Sequence, residues 1–160
     1  MAQPKSAERG AEVRFPPPLV FVGFVLLGVA LQYAVASISF PVDRWITLAA
    51  GILISLTGLC FIVMAYKPFK RTGQDPAPWT PSPELLWEGP YRFTRNPMYL
   101  GLTLFQIGLG LAVNNLWISL FAAPALFVVH RIAVLPEERY LSEKFGENYK
   151  AYFAKVRRYL

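Results

Sequence analysis

The sequence predicts an all-α fold: a polytopic membrane helical bundle of about four transmembrane helices, a long cytoplasmic loop and a C-terminal amphipathic helix. Three observations predict it. Of the 160 residues, 54% are hydrophobic and only 16% charged, with a mean hydropathy of +0.36, whereas soluble domains carry roughly 25% charged residues. Apolar runs of membrane-crossing length recur along the chain. Lys and Arg gather in segments that four crossings would place on one side.

Residues 1–18, "MAQPKSAERGAEVRFPPP", mix charge and proline without periodicity, and read as a mobile or interfacial tail, not a secretory signal. Residues 19–40 and 45–66 are the first two spans, each about twenty residues without internal charge, the length that crosses roughly 30 Å of hydrocarbon. Within the second, Gly51, Ser55 and Gly58 share a helix face, and such small residues let another helix approach closely. Residues 67–96 combine proline and charge in a loop of about thirty residues, long enough to be functional or disordered. Its Trp79 and Trp87 suit a membrane interface.

From Pro97 to Leu135 the chain is apolar again, interrupted by Asn114 and Asn115. A single helix of that length is too long for one crossing, so the pattern predicts a hairpin with arms 97–113 and 116–135. Residues 136–158 form the amphipathic helix. Leu141, Phe145, Tyr149, Tyr152, Phe153 and Val156 share one face, and charges take the other. Such a helix lies along the interface or packs back onto the loop.

Of the 16 Lys and Arg, only Arg44 falls in a connection away from the C-terminal tail. The positive-inside rule then places both termini and the long loop in the cytoplasm, at the inner membrane if the chain is bacterial. The net charge of +6 reports topology and contact with the lipid bilayer. No basic recognition helix or aromatic RNA-binding signature points to nucleic acid. Lone Cys60 makes neither an internal disulfide nor a metal site. No Ser-His-Asp set, Cys-His pair or metal cluster is present.

The unusual chemistry gathers at one membrane edge, in "EGPYRFTRNPMYLG" (Glu88 to Gly101) and "PEER". Asn96 suits a helix N-cap and Pro97 a first helical position. The free N–H groups there, with Arg95 adjacent, suit a carboxylate or phosphate. Equally, Asn-Pro merely starts a helix while Arg95 snorkels to lipid phosphate. Glu137 and Glu138 follow Pro136, where first-turn acids are common for dipole reasons. Yet the hairpin returns them beside Asn96, with Trp87, Tyr91 and Tyr99 nearby. A ligand bearing a carboxylate, an ammonium or diol, a flat base and a cation would satisfy these groups. S-adenosyl-L-methionine carries that combination, and aromatic faces accept its sulfonium.

Other residues carry two readings each. His130 is an interfacial hydrogen-bonding residue or a pocket residue. Gln32 and Gln106 lie within spans, where polar groups are often functional but where an interhelical hydrogen bond explains an amide. Gly101, Gly108 and Gly110 give the third helix a smooth packing face and not a nucleotide loop, since no strand precedes them.

"GPYRFTRNPMYLG", then "PEERYL" and "FGENYKAYFAKVRR", together resemble the isoprenylcysteine carboxyl methyltransferase and phospholipid methyltransferase family of integral membrane enzymes. The resemblance covers roughly Lys67 to Arg158. It implies a cytoplasm-facing S-adenosylmethionine pocket built from the loop, the hairpin and the C-terminal helix. The implied cofactor contacts are Leu85, Leu86, Tyr91, Asn96, Pro97, Met98, Tyr99 and the acidic pair, Glu138 before Glu137. Many members have His where this chain has Asn96, which donates a hydrogen bond but cannot titrate. In the prenylcysteine branch an arginine upstream of the acidic pair meets the substrate carboxylate; here Arg131 and Arg95 are the candidates.

The implied activity is methyl transfer to a lipophilic small molecule or lipidated substrate: a prenylcysteine carboxylate, a lipid amine or a small thiol. Two alternatives stand beside it. One is an NADPH-dependent sterol-type reductase, which shares an Arg-His/Asn-Pro-x-Tyr-like segment but has more spans. The other is a non-enzymatic scaffold whose basic face binds anionic lipid.

Overall fold

The computed structural model describes residues 10–159 and is helical, with no strand among the described residues. Its helices are α1 (Pro17–Ala34), α2 (Arg44–Thr72), α3 (Pro97–Ala112), α4 (Leu116–Leu120), α5 (Ala122–Val129), α6 (Leu135–Phe145) and α7 (Glu147–Lys155). A 3-10 turn at Gly89–Arg92 leads into α3, and a π-helical turn at His130–Val134 joins α5 to α6. Three stretches are long and apolar enough to cross a membrane: Pro17–Ala34, Arg44–Thr72 and the continuous run Leu116–Phe145. Pro97–Ala112 is apolar but has only 16 residues, short of the roughly 20 a crossing takes. Of the four expected spans, three are therefore full-length stretches, and the expected 97–113 span is a shorter helix.

α1 ends at Ala34, not at Phe40, and Gln32 supplies the reason. Its Oε1 accepts from Ile38 N–H at 3.1 Å and its Nε2 donates to Ser37 Oγ at 3.0 Å. The amide thus wraps the turn after its own helix and bonds no other helix. The segment that follows docks on the hairpin tip: Leu116 N–H donates to the Ile38 carbonyl (3.1 Å) and Phe40 N–H to Asn114 Oδ1 (3.1 Å). Asn114 takes φ 55° there, and Asn115 caps α4 by accepting from Ile118 N–H.

α2 runs to Thr72, beyond the Tyr66 boundary that charge alone predicts. Lys70 and Arg71 occupy its last turn, where cations oppose the negative end of the helix dipole. Gly73, at φ 67°, then closes it: Gln74 N–H bonds the Phe69 carbonyl at 2.9 Å and Gly73 N–H that of Lys70 at 3.4 Å. The loop therefore begins at Gln74.

α2 packs along α3, and α1 packs on α4 and α5. The α2–α3 contact runs through the small residues that the spacing singled out. A Cβ on Gly108 would lie 2.5 Å from Ser55 N, and one on Gly58 would lie 2.6 Å from the Gly101 carbonyl oxygen. In lipid, apolar burial does not drive helices together, so this close van der Waals fit carries the association. Gly108→Leu is expected to destabilise the protein by about 3 kcal/mol, read as a lower thermal midpoint in detergent. Gly23→Leu, with nothing within 4 Å of its Cβ position, should leave the midpoint unchanged. Gln106 makes the expected interhelical bond, donating to the Ile118 carbonyl at 3.0 Å.

The second hairpin arm is not a single straight helix ending near residue 135. Pro124 has no N–H for the Leu120 carbonyl, and the helix breaks at Phe121 between α4 and α5. Leu135 N–H bonds the His130 carbonyl, one residue further back than in an α-helix. This wider turn absorbs Pro136, which has no N–H to give. Glu137 and Glu138 thus ride on a continuation of the hairpin helix, not on a separate one. The expected amphipathic helix 136–158 is also divided. Gly146, at φ 51°, separates α6 from α7, and the backbone is extended at Val156.

Residues 1–9 of the expected tail lie outside the described residues. The rest of it is not free. Ala11 and Val13 are 4% and 5% exposed and pack in a cluster with Phe21, Val134 and Tyr140.

Candidate functional site

Several segments meet where α2 ends, α3 begins and α6 continues past the bundle. The 3-10 turn, entered through Gly89 at φ 58°, buries Tyr91 against Phe69 with ring centroids 6.2 Å apart. The Tyr152 hydroxyl donates to the Tyr91 carbonyl at 2.7 Å. Burial raises the Tyr91 phenol pKa and pushes that of Tyr149 up to about 12. Both phenols are therefore neutral near pH 7.

Next along the chain, Thr94 is fully buried and starts a seam with the C-terminal segment. Its Oγ1 donates to the Arg158 carbonyl at 3.0 Å, and Arg95 N–H donates to that of Arg157 at 2.9 Å. Asn96, 6% exposed, sends its Nδ2 to the Arg158 carbonyl at 3.1 Å. Asn96 stands at the expected N-cap position of α3 with Pro97 first in the helix, but its side chain makes no capping bond and anchors the tail instead. It sits between Thr94 and α3, beside the C-terminal segment whose Arg157 and Arg158 carbonyls accept from residues 94–96.

Arg95 is largely engaged within the protein, with only its Nε lacking a partner among the described residues. Its Nη1 donates to the carbonyls of Phe153 (2.9 Å) and Val156 (3.0 Å), its Nη2 to Glu138 Oε1 (3.0 Å), and its guanidinium lies 3.8 Å from the Phe153 ring centroid. From the tail, Arg158 reaches both oxygens of Glu138, at 2.9 and 2.8 Å. Glu138 is thus held between two guanidiniums, in charge-assisted bonds that are among the stronger kinds available. Glu137 has a different partner: its Oε1 accepts from the Tyr99 hydroxyl.

Both glutamates line the same cavity. Leu85, Leu86, Tyr91, Arg95, Asn96, Pro97, Met98 and Tyr99 line it too. Residues far apart in the sequence therefore share one wall. Arg131 is not among the lining residues; its guanidinium lies 5.3 Å from the Phe127 ring centroid. His130 also lies outside, with Nδ1 3.1 Å from the Tyr159 hydroxyl, in keeping with its reading as a hydrogen-bonding residue.

Sequence reading missed Gln74. It lines the cavity, is 8% exposed, and neither its Oε1 nor its Nε2 has a hydrogen-bond partner. Leaving such an amide unsatisfied costs about 1–3 kcal/mol, so its place in a cavity wall fits a ligand that supplies the missing bonds. The available signal was Gly73, whose left-handed turn ends α2 and delivers Gln74 to the wall. Tyr149 and Tyr152 also line the cavity, where the helical pattern had marked them only as an apolar face.

Comparison with known proteins adds two findings. The family model described as phospholipid methyltransferase matches residues 46–148, from the start of α2 into α7. An uncharacterized protein of Haemophilus influenzae is 36% identical over 63 residues, which is 39% of this chain and 100% of that protein.

Proposed function

The chain belongs to the phospholipid methyltransferase family, and from that premise we propose that it is a membrane methyltransferase using S-adenosylmethionine. The acceptor would be lipophilic, and the excess of Lys and Arg in segments 1–18, 67–96 and 136–160 supports a cytoplasmic orientation for the cavity and for both termini. The observation that carries the reading is the cavity's donor set. It pairs an unpartnered buried amide, Gln74, with a carboxylate, Glu137, among aromatic side chains.

These residues fit the cofactor. Glu137 would accept from its ammonium or ribose hydroxyls, with Tyr99 orienting the carboxylate. Gln74, both donor and acceptor, would pair with the adenine edge or the carboxylate. Tyr91, Tyr149 and Tyr152 offer π faces to the base and the sulfonium. Leu85, Leu86, Pro97 and Met98 supply a dry wall. When bound, the cofactor would supply an electrophilic methyl group to the acceptor. Such a transfer calls on the protein for alignment and exclusion of water more than for a strong acid or base. Arg95 and Arg158 act one step back, by holding α6 and the tail through Glu138. The acceptor classes that suit this chemistry are a prenylcysteine carboxylate, a lipid amine and a small thiol.

Calorimetric titration of the detergent-purified protein tests the reading. Saturable binding of S-adenosylmethionine and S-adenosylhomocysteine is expected, with none of NADPH, and Gln74→Ala should weaken it about tenfold. Binding of NADPH alone would support a reductase. Folded protein that binds neither would return the chain to the scaffold reading.

A further inference from the structure

One wall of the cavity is irregular chain: Gln74, Asp75, Pro76, Ala77, Pro78 and Ser82 all line it. This loop has a small turn of its own. Ala77 N–H donates to Asp75 Oδ1 at 2.8 Å and Thr80 N–H to the Ala77 carbonyl at 3.0 Å. A local turn sets the loop's shape but does not hold it against the cavity. Two hydrogen bonds to distant parts of the chain do that. Ser82 N–H donates to the Tyr140 hydroxyl on α6 at 3.0 Å, and Ala11 N–H donates to the Pro78 carbonyl at 2.8 Å.

The second tie is part of a larger contact. Gly10 lies so close to the loop that a Cβ on it would sit 2.1 Å from the Trp79 carbonyl carbon and 2.4 Å from Thr80 N. Ala11 and Val13 are buried in the cluster that also contains Tyr140. The segment before α1 therefore fastens the loop to the side chain that holds its other end. Among the described residues the contact consists of one backbone hydrogen bond, the close approach of Gly10 and two small side chains, so it belongs to the low end of local opening energies.

We propose that Gly10–Val13 is a clamp that holds the 75–82 loop over the cavity, and that its release opens the route for cofactor exchange. The second clause rests on the methyltransferase reading; the first does not. The clamp lies outside residues 46–148, which the family model matches, so it is argued from this chain alone. A ligand that binds only beneath the clamped loop has an apparent affinity scaled by the clamped fraction. Loosening the clamp should therefore weaken binding and speed release together, without any change to a residue lining the cavity.

Two full-length variants test it. Gly10→Val pushes the segment off the Trp79–Thr80 backbone, and Ala11→Pro removes the N–H that the Pro78 carbonyl accepts. Hydrogen exchange is read at Ala77, Thr80 and Ser82 in ligand-free protein. In both variants these amides should exchange about tenfold faster while α2 and α3 keep their protection and the thermal midpoint holds. S-adenosylmethionine should then dissociate about tenfold faster. Unchanged exchange in both variants overturns the clamp, whatever the cavity binds. Faster exchange with unchanged dissociation, in protein whose wild type binds the cofactor, overturns the gating role. If the wild type binds no S-adenosylmethionine, the methyltransferase reading and the gating clause fall together, and the exchange data still decide the clamp.

Discussion

Glu137→Gln is expected to weaken S-adenosylmethionine binding by about 10- to 100-fold while leaving the thermal midpoint of the ligand-free protein within a degree or two. The range corresponds to losing one hydrogen bond to a charged group, about 1.5–3 kcal/mol. Glu137 faces the cavity with one oxygen bonded to Tyr99 and no guanidinium beside it, so its carboxyl group is available to a ligand. Tyr99→Phe should lose less, because the carboxylate remains and only its orientation relaxes. Equal affinity in Glu137→Gln and wild type would move the acidic contact elsewhere and remove the main support for the proposed cofactor pose.

Glu138→Gln should behave in the opposite way, with a large loss of stability in the absence of any ligand. The Arg95 and Glu138 side chains are 6% and 11% exposed, and removing one partner of a buried ion pair leaves the other charge stranded, at about 3–5 kcal/mol. Arg158 would lose its anchor as well, and with it the seam between the C-terminal segment and Thr94, Arg95 and Asn96. Limited trypsin digestion reads this directly, since Lys155, Arg157 and Arg158 should become cleavable in the variant and not in the wild type. The double variant Arg95→Met/Glu138→Leu should regain part of the midpoint, because it removes the buried Arg95 charge and leaves only Arg158, 35% exposed, without its partner. A wild-type midpoint and digestion pattern in Glu138→Gln would show that the pair is not what holds the tail. Sequence reasoning ranked Glu138 ahead of Glu137 as the cofactor contact; the arginine partners reverse that order in the proposal argued here.

Adjacent glutamates illustrate how far sequence reading reaches. That an acidic pair lies near the "RNPMY" edge follows from the hairpin, because Asn114 and Asn115 leave an apolar run no other way to cross and return. Which glutamate serves the cavity depends on Arg158, twenty residues further along the chain, and on a tail that turns back at Gly146. The end of α2 shows the same limit: charge counting placed the boundary at Tyr66, but a helix with cations in its last turn and Gly73 as its cap continues past the apolar run. Asn96 is a good N-cap by type, yet its amide is drawn to the Arg158 carbonyl, a partner that no local pattern contains.

Apolar run length, the charge asymmetry and the small-residue spacing determined by themselves that this is a helical membrane protein. They also determined that α2 and α3 each present a small-residue face for close packing, and that the polar chemistry gathers at one edge. Those properties come from solvent and sterics acting along single helices, and periodicity encodes them. Only the tertiary structure decided that Glu138 belongs to a structural ion pair, that Gln74 stands unpartnered in the cavity wall, and that Gly10 and Ala11 lie against the 75–82 loop. Each depends on a contact between distant segments, where one hydrogen-bond partner excludes another, and residue type alone does not say which partner wins.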